Sequence, residues 1–173
     1  TSTILPWEGY AIFNRTSDSV SLSINPLNTQ GSAKSKLLAE KGWEFIISAD
    51  NGEFGDVYNA MGRRENASET LDIWDNPEPP AMDKYISLAM NRKDWGVDYA
   101  FTSDIRSLEL MNGTWEMYLK TKDIDGPIQL ASKLRGQLPS GIEVRLFDHI
   151  ERKSYLLLEI DNGSITKFSN HYD

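Results

Sequence analysis

The side chains that carry most enzymatic chemistry are scarce in this sequence. It contains no cysteine and only two histidines, His149 and His171. The lack of cysteine excludes disulfides, Cys-ligated zinc, iron–sulfur clusters and thiol nucleophiles. No nucleophile-elbow, Walker, dinucleotide-binding or zinc-protease motif is present. We therefore expect no catalytic residues and a protein that is not an enzyme. A glycoside hydrolase is the less favoured alternative, because two of the many carboxylates need only lie close together in the fold.

Acidic side chains are concentrated in one part of the chain. The formal net charge is −8, and nine of the 26 Asp and Glu residues fall between positions 50 and 83. Oxygen ligands on glycine-containing loops are what Ca²⁺ requires, so calcium is the one metal that the sequence suggests. The candidate ligands are Asp50, Glu53, Asp56, Asp72 and Asp75. The alternative is a solvated acidic surface that binds no metal.

The five tryptophans raise the question of a sugar-stacking surface. Trp43 and Trp115 lie within strand patterns and are predicted to be core residues. Trp7, Trp74 and Trp95 lie at strand ends or in loops, where an aromatic face is able to contact a ligand. These three are the candidate ligand-binding residues, and the alternative is that they pack the loops onto the sheets.

The elements that would position these residues are short strands separated by turn residues. Apolar residues alternate with polar ones, and Gly, Asn, Asp and Pro recur between the strands, as in β-sandwich proteins. We predict an all-β fold, an antiparallel β-sandwich of jelly-roll or Ig-like type with about ten strands and little helix. The predicted strands cover residues 9–14, 19–25, 43–49, 56–60, 84–90, 99–106, 114–121, 128–133, 142–148, 154–160 and 164–169.

One domain is predicted over residues 1–173, since this length fits a single core. Residues 1–27 are predicted to contain an N-terminal hairpin, and residues 62–83 a long acidic, proline-rich loop. The acidic charge disfavours nucleic acid, which requires Lys and Arg to neutralise phosphates. No apolar run approaches the ~20 residues of a membrane-spanning helix, so we expect no membrane insertion.

Several short stretches carry a resemblance when they are taken in order. They are 6–14, 19–24, 42–49, 58–62, 66–72, 75–80, 104–106, 113–117, 138–141, 147–148 and 154–155. Together they resemble a β-sandwich module that precedes the C-terminal secretion or surface-attachment domain of large exported bacterial proteins. The resemblance implies an extracellular, non-catalytic β-sandwich and no defined ligand. Two departures concern the acidic loop, where an Asp-Gly-x-Asp motif of that family is missing and the proline run is broken after Pro80.

These observations lead to one functional expectation and one alternative. We expect a binding or assembly module of a larger exported protein, located outside the cell or on its surface. Its partners would be neighbouring domains, copies of itself or a surface glycan. The alternative is a carbohydrate-binding module built on Trp74 and Trp95 and stabilised by calcium.

Overall fold

The computed structural model describes residues 14, 15, 19, 41–80, 83–110, 112–160 and 165–168. Two compact units are distinguished, Thr1–Ala39 and Glu40–Asp173, and the fold given below is that of the second. Apart from residues 14 and 19, the predicted strands at residues 9–14 and 19–25 lie outside the described residues, as does Trp7. In the described part, no helix is long and apolar enough to cross a membrane.

The fold is mostly β and contains almost no helix, as predicted. The described residues hold two 3₁₀ turns, Lys93–Trp95 and Leu157–Glu159, and nine strands. The strands are β1 (Gly42–Asp50), β2 (Gly55–Arg64), β3 (Tyr85–Met90), β4 (Ser103–Ser107), β5 (Met117–Lys122), β6 (Pro127–Gly136), β7 (Arg145–Asp148), β8 (Lys153–Leu156) and β9 (Ile165–Phe168).

The strands form three sheets in the described part of the chain. A five-stranded sheet has the order β4-β2-β1-β6-β9, and the pairs β3–β5 and β7–β8 form two smaller sheets. Alternation along β1 sends Trp43, Phe45 and Ile47 into the main apolar core, where they join Leu88 of β3. The core therefore draws side chains from the five-stranded sheet and from the β3–β5 sheet.

One strand pair differs from the predicted antiparallel arrangement. β2 and β4 are parallel, with Ala60 opposite Ser103 and Arg64 opposite Ser107. Parallel neighbours need a long connection, because the chain must return to the same end of the sheet. The stretch from residue 65 to residue 102, which includes β3, makes that connection.

Several predicted strands are shorter than expected, among them those predicted over 142–148, 154–160 and 99–106, and contacts account for the last two. The strand predicted over 154–160 ends at Leu156 and continues as a 3₁₀ turn, because Ser132 of β6 bonds to this segment. The Ser132 backbone N–H and hydroxyl donate to the Ile160 carbonyl, and the hydroxyl also donates to the Leu157 carbonyl. The strand predicted over 99–106 starts only at Ser103, since Phe101 before it forms isolated bridges with Met90 and Pro77.

Candidate functional site

The acidic residues at the β1–β2 turn shape the backbone there. Asp50 Oδ1 accepts the Gly52 N–H at 3.2 Å, and Asn51 Oδ1 accepts the Phe54 N–H at 2.8 Å. These short-range bonds are typical of Asx turns, in which a side-chain oxygen holds the next residues in a reversal. Glu53 is exposed at the tip. The acidic and amide side chains of this turn therefore stabilise a reversal.

Asp56, at the start of β2, connects the turn to another sheet. Its Oδ2 accepts the backbone N–H of Leu88 on β3 at 2.7 Å. A carboxylate that accepts a backbone N–H from a neighbouring strand replaces a missing ladder bond. Asp56 therefore joins the five-stranded sheet to the β3–β5 sheet.

Asp72 and Asp75 lie close together and close the long acidic loop. Asp72 accepts the N–H groups of Ser68 and Trp74, at 2.6 and 2.7 Å. Asp75 is fully buried, and its two oxygens accept the N–H groups of Asp72 and Ile105, at 2.9 and 3.0 Å. Since Ile105 belongs to β4, Asp75 fastens the loop to the edge strand of the five-stranded sheet.

Asn76 adds further hydrogen bonds between the acidic loop and β4. Its carbonyl accepts the N–H groups of Thr102 and Ser103, and its own N–H donates to Ser103 Oγ at 2.7 Å. An uncovered edge strand invites pairing with other chains, so proteins commonly shield it with a loop. The segment from Asp72 to Asn76 shields β4 in this way.

The five predicted calcium ligands are not assembled into one site. Asp72 and Asp75 are brought together, whereas Asp50, Glu53 and Asp56 belong to the β1–β2 turn and the start of β2. In the residues described, no group of three or more His, Asp or Glu side chains is arranged to hold a metal ion. Four of the five, Asp50, Asp56, Asp72 and Asp75, accept backbone N–H groups, which gives these acidic residues a structural role.

Burial sets the protonation of Asp75. It raises the pKa of this carboxyl to about 7, against the opposing effect of the two backbone N–H donors. The negative charges of Asp72 and Asp104 raise it further. Asp75 thus changes charge near neutral pH at the point where the loop meets β4.

Glu78 follows in the proline-rich part of the loop and contacts β3. Its Oε1 accepts the Ser87 hydroxyl at 2.8 Å, while its Oε2 is buried and makes no hydrogen bond within the described residues. Burial raises the pKa of Glu78, the Ser87 bond lowers it, and the nearby charge of Asp56 raises it. The ionised carboxylate is therefore less stable in the folded protein than in water.

Replacing this carboxylate with a neutral amide is expected to stabilise the fold. At pH 8, Glu78→Gln removes a desolvated charge and its repulsion with Asp56, and we expect the melting temperature to rise by about 1–4 °C. Glu53→Gln, on an exposed side chain, is the control and should change stability by less than about 0.5 kcal/mol. A lower melting temperature for Glu78→Gln alone would contradict this reading of the contact.

The two described candidate tryptophans are partly buried and pack against the apolar clusters. Trp74 contacts the apolar cluster of Ile46, Ala60 and Ile105, and the Arg64 guanidinium carbon lies 4.4 Å from its ring centroid. One face of the indole is therefore covered by a cation. The structure uses this ring to anchor the acidic loop on the sheet.

Trp95 also contacts the acidic loop, at Glu69. Its Nε1 donates to the Glu69 carbonyl at 3.3 Å, and the Arg92 guanidinium lies 3.9 Å from its ring centroid. Phe101 makes an edge-on contact at 4.9 Å. Trp95 thus serves loop packing, which was the alternative to a sugar-stacking role.

Sequence reasoning missed a buried ionic cluster next to these rings. Asp104 of β4 is 1% exposed and accepts hydrogen bonds from Arg92 and Arg106, both with shortest distances of 2.8 Å. Arg106 and Arg63 lie over the ring of Trp115, at 4.5 and 5.5 Å from its centroid. The only sequence signal was the Asp-x-Arg spacing, which places Asp104 and Arg106 on one face of a strand.

A β-bulge between β1 and β2 shapes the face of the five-stranded sheet that points away from the main apolar core. Ile47 pairs with Asn59 and Ala49 pairs with Asp56. One residue of β1, Ser48, therefore faces two residues of β2, which are Val57 and Tyr58. Bulges redirect side chains and are common beside functional sites. Here Val57 and Tyr58 are both strongly exposed.

Val57 and Tyr58 form one wall of an open groove of about 640 Å³. Its floor includes Ile46 and Ser48 of β1, and its other wall comes from β6. This volume falls in the range of small-ligand sites, about 300–1,000 Å³. We call it the sheet groove. It is lined by Ile46, Ser48, Val57, Tyr58, Ala131, Ser132, Lys133 and Arg135.

The β6 wall of the sheet groove carries two cations. Lys133 and Arg135 are both exposed, and alternation along the strand places them on the same face. The Arg135 guanidinium lies 5.4 Å from the Tyr58 ring centroid, and its Nη1 is 3.4 Å from Glu44 Oε1. The groove thus combines an aromatic ring, a small apolar floor and positive charge.

The remaining candidate for chemistry, His149, lies away from these clusters at the β7–β8 turn. It is exposed, and its ring meets Phe147 edge-on at 5.1 Å.

Comparison with protein-family models, with curated proteins and with solved structures found no match to this chain. The geometry of the described residues is therefore the basis for proposing a function.

Proposed function

We propose that this chain is a non-catalytic binding and assembly module of a larger exported protein, acting outside the cell or on its surface. The observation that carries the proposal is the sheet groove. A bulge turns two adjacent residues, Val57 and Tyr58, outward beside a cationic wall. Exposed aromatic and apolar side chains held on rigid strands are typical of binding surfaces.

A sandwich architecture agrees with this role. We propose that the five-stranded sheet and the β3–β5 sheet pack face to face in the jelly-roll or Ig-like manner. Support comes from the main core, in which Phe45 and Ile47 of one sheet join Leu88 and Met90 of the other.

The acidic loop supports the proposal indirectly, because its side chains are used in packing the loop against the five-stranded sheet. Asp75 and Asn76 bond to β4, and Trp74 packs on the sheet. These residues are used in covering an edge strand. We therefore assign the loop a structural role and place the binding surface in the sheet groove.

Carbohydrate binding is the second candidate, and Tyr58 favours it. The exposed ring stands beside Arg135 and near the Ser48 hydroxyl. Aromatic side chains combine an apolar face with a polar tip, which suits a sugar with its apolar C–H face and hydroxyls. Tyr58 would thus supply the sugar-stacking ring, a role that the sequence analysis assigned to Trp74 and Trp95.

A matched pair of tyrosine variants tests the location of the binding surface. Tyr58 and Tyr118 are equally exposed, at 47% each, but Tyr118 lies on β5, outside the groove. Binding is measured against an array of oligosaccharides and insoluble polysaccharides, with self-association followed by sedimentation. We expect Tyr58→Ala to weaken the interaction about 10-fold or more, and Tyr118→Ala to change it by less than about 2-fold.

Three results would contradict the proposal. Equal losses for both tyrosine variants would show that binding does not use the groove. No binding to any array member together with no self-association would leave the module without the proposed activity. Release of reducing sugars that is abolished by substituting a pair of carboxylates would identify a hydrolase instead.

A further inference from the structure

We infer that the sheet groove binds a linear anionic polysaccharide whose uronic-acid carboxylates pair with Lys133 and Arg135. This inference rests on the proposed binding function and specifies its ligand. It is carried by the placement of the groove in the sheet and by the charge of the β6 wall.

The placement of the groove disfavours an extended peptide. Its walls are β2 and β6 and its floor is β1, which are the three central strands of the order β4-β2-β1-β6-β9. Their backbone groups bond to one another, whereas peptides that add to sheets use the free N–H and C=O groups of an edge strand. The ligand of the groove must therefore be recognised by side chains alone.

The apolar part of the groove is too small for a helix. A helix bound in a groove inserts several apolar anchors, spaced over about two turns. The sheet groove offers Val57, the ring of Tyr58 and a floor of Ile46 and Ala131. That area suits one sugar ring stacked on Tyr58, with neighbouring hydroxyls near Ser48.

The charge of the groove selects an anion. Lys133 and Arg135 are two residues apart on β6, so their Cα atoms are about 7 Å apart along the strand. Among the described residues, Arg135 forms a salt bridge with Glu44 at 3.4 Å and donates a hydrogen bond to the Tyr58 hydroxyl at 3.4 Å, and its side chain remains 49% exposed. Two adjacent cations on a chain of net charge −8 mark the place where a carboxylated polymer is attracted.

The test compares a polyuronate with its neutral form. Polygalacturonate and the same polymer with its carboxyls reduced to alcohols share one backbone and differ at C6, where a neutral CH2OH replaces the charged carboxylate. The groove variant is Lys133→Gln with Arg135→Gln. The control is Lys120→Gln with Lys122→Gln on β5, which changes the net charge equally at exposed positions outside the groove. Melting curves check that both double variants are folded.

Wild-type protein should bind polygalacturonate, and the reduced polymer should bind about 10-fold or more weakly. The groove variant should lose a similar factor for polygalacturonate and nothing for the reduced polymer. The control should change binding by less than about 2-fold. Added salt should weaken the wild-type interaction, because the pairs are exposed to solvent.

Other results would overturn the inference in distinguishable ways. Equal binding of both polymers, lost in Tyr58→Ala, would reject the anionic ligand and leave the proposed binding function intact. Equal losses in the groove and control variants would indicate non-specific attraction. Tighter binding of poly-glutamate than of polygalacturonate would assign the groove to an acidic peptide. Binding of neither polymer, with no effect of Tyr58→Ala in the array, would reject both proposals.

Discussion

Replacing Asp104 with alanine is expected to destabilise the protein by about 3–5 kcal/mol. The carboxylate is 1% exposed and accepts one hydrogen bond from Arg92 and two from Arg106. Its removal leaves two poorly hydrated guanidinium groups without their shared counter-charge. The cost is large because these cations remain buried against Trp95 and Trp115. Urea unfolding followed by tryptophan fluorescence measures the change.

Asp94→Ala is the matched control for this experiment. Asp94 pairs with the same Arg92 at 2.8 Å, but its side chain is 61% exposed. Solvent screens exposed ion pairs, so its loss should cost less than about 1 kcal/mol. Similar losses for both variants would contradict the account, because they would mean that burial of Asp104 contributes nothing to its effect.

The second large effect concerns Asp75 and pH. Burial raises the pKa of this carboxyl from 3.8 to about 7 in the folded protein. Between these values the folded state binds a proton that the unfolded state has released. The contribution of Asp75 to the free energy of unfolding therefore rises as pH falls from 7 towards 4. Over pH 7 to 5 the gain is about 2 kcal/mol.

The variant Asp75→Asn isolates this contribution from the other titrating groups. The asparagine does not titrate, and one of the two backbone N–H groups from Asp72 and Ile105 loses its acceptor. We expect the stability difference between wild type and variant to widen in favour of wild type from pH 7 to 5. A difference that stays constant over this range, or narrows, would contradict the assigned pKa.

The strands of the second unit were largely predictable from sequence alternation. The patterns at residues 43–49, 56–60 and 84–90 correspond to β1, β2 and β3, because half-buried strands alternate apolar and polar residues. The parallel pairing of β2 with β4 was not predictable. Strand order depends on which surfaces meet in space, and no local pattern of residues encodes it.

The acidic segment was recognised from its composition, but its role was not. Asp72 and Asp75 appeared as metal ligands because carboxylates at short spacing suit Ca²⁺. The structure gives their oxygens backbone N–H partners, including Ile105, which is distant in sequence. A hydrogen bond between residues this far apart in sequence can be recognised only when the packing of the loop against β4 is known.

The sheet groove was missed for a similar reason. Tyr58 lies within a strand pattern, and alternation alone would place Val57 and Tyr58 on opposite faces. The bulge opposite Ser48 leaves both exposed. A bulge arises when one strand has more residues than its partner between two pairing positions. Its prediction therefore requires the register of the two strands.

Backbone-amide chemical-shift mapping during a polygalacturonate titration tests the central claim most directly. The account predicts that the perturbed amides cluster at residues 46, 48, 57, 58, 131–133 and 135, the lining of the sheet groove. It predicts little change at residues 65–76, the structural acidic loop. Perturbations centred on that loop, with the groove amides unmoved, would contradict the account.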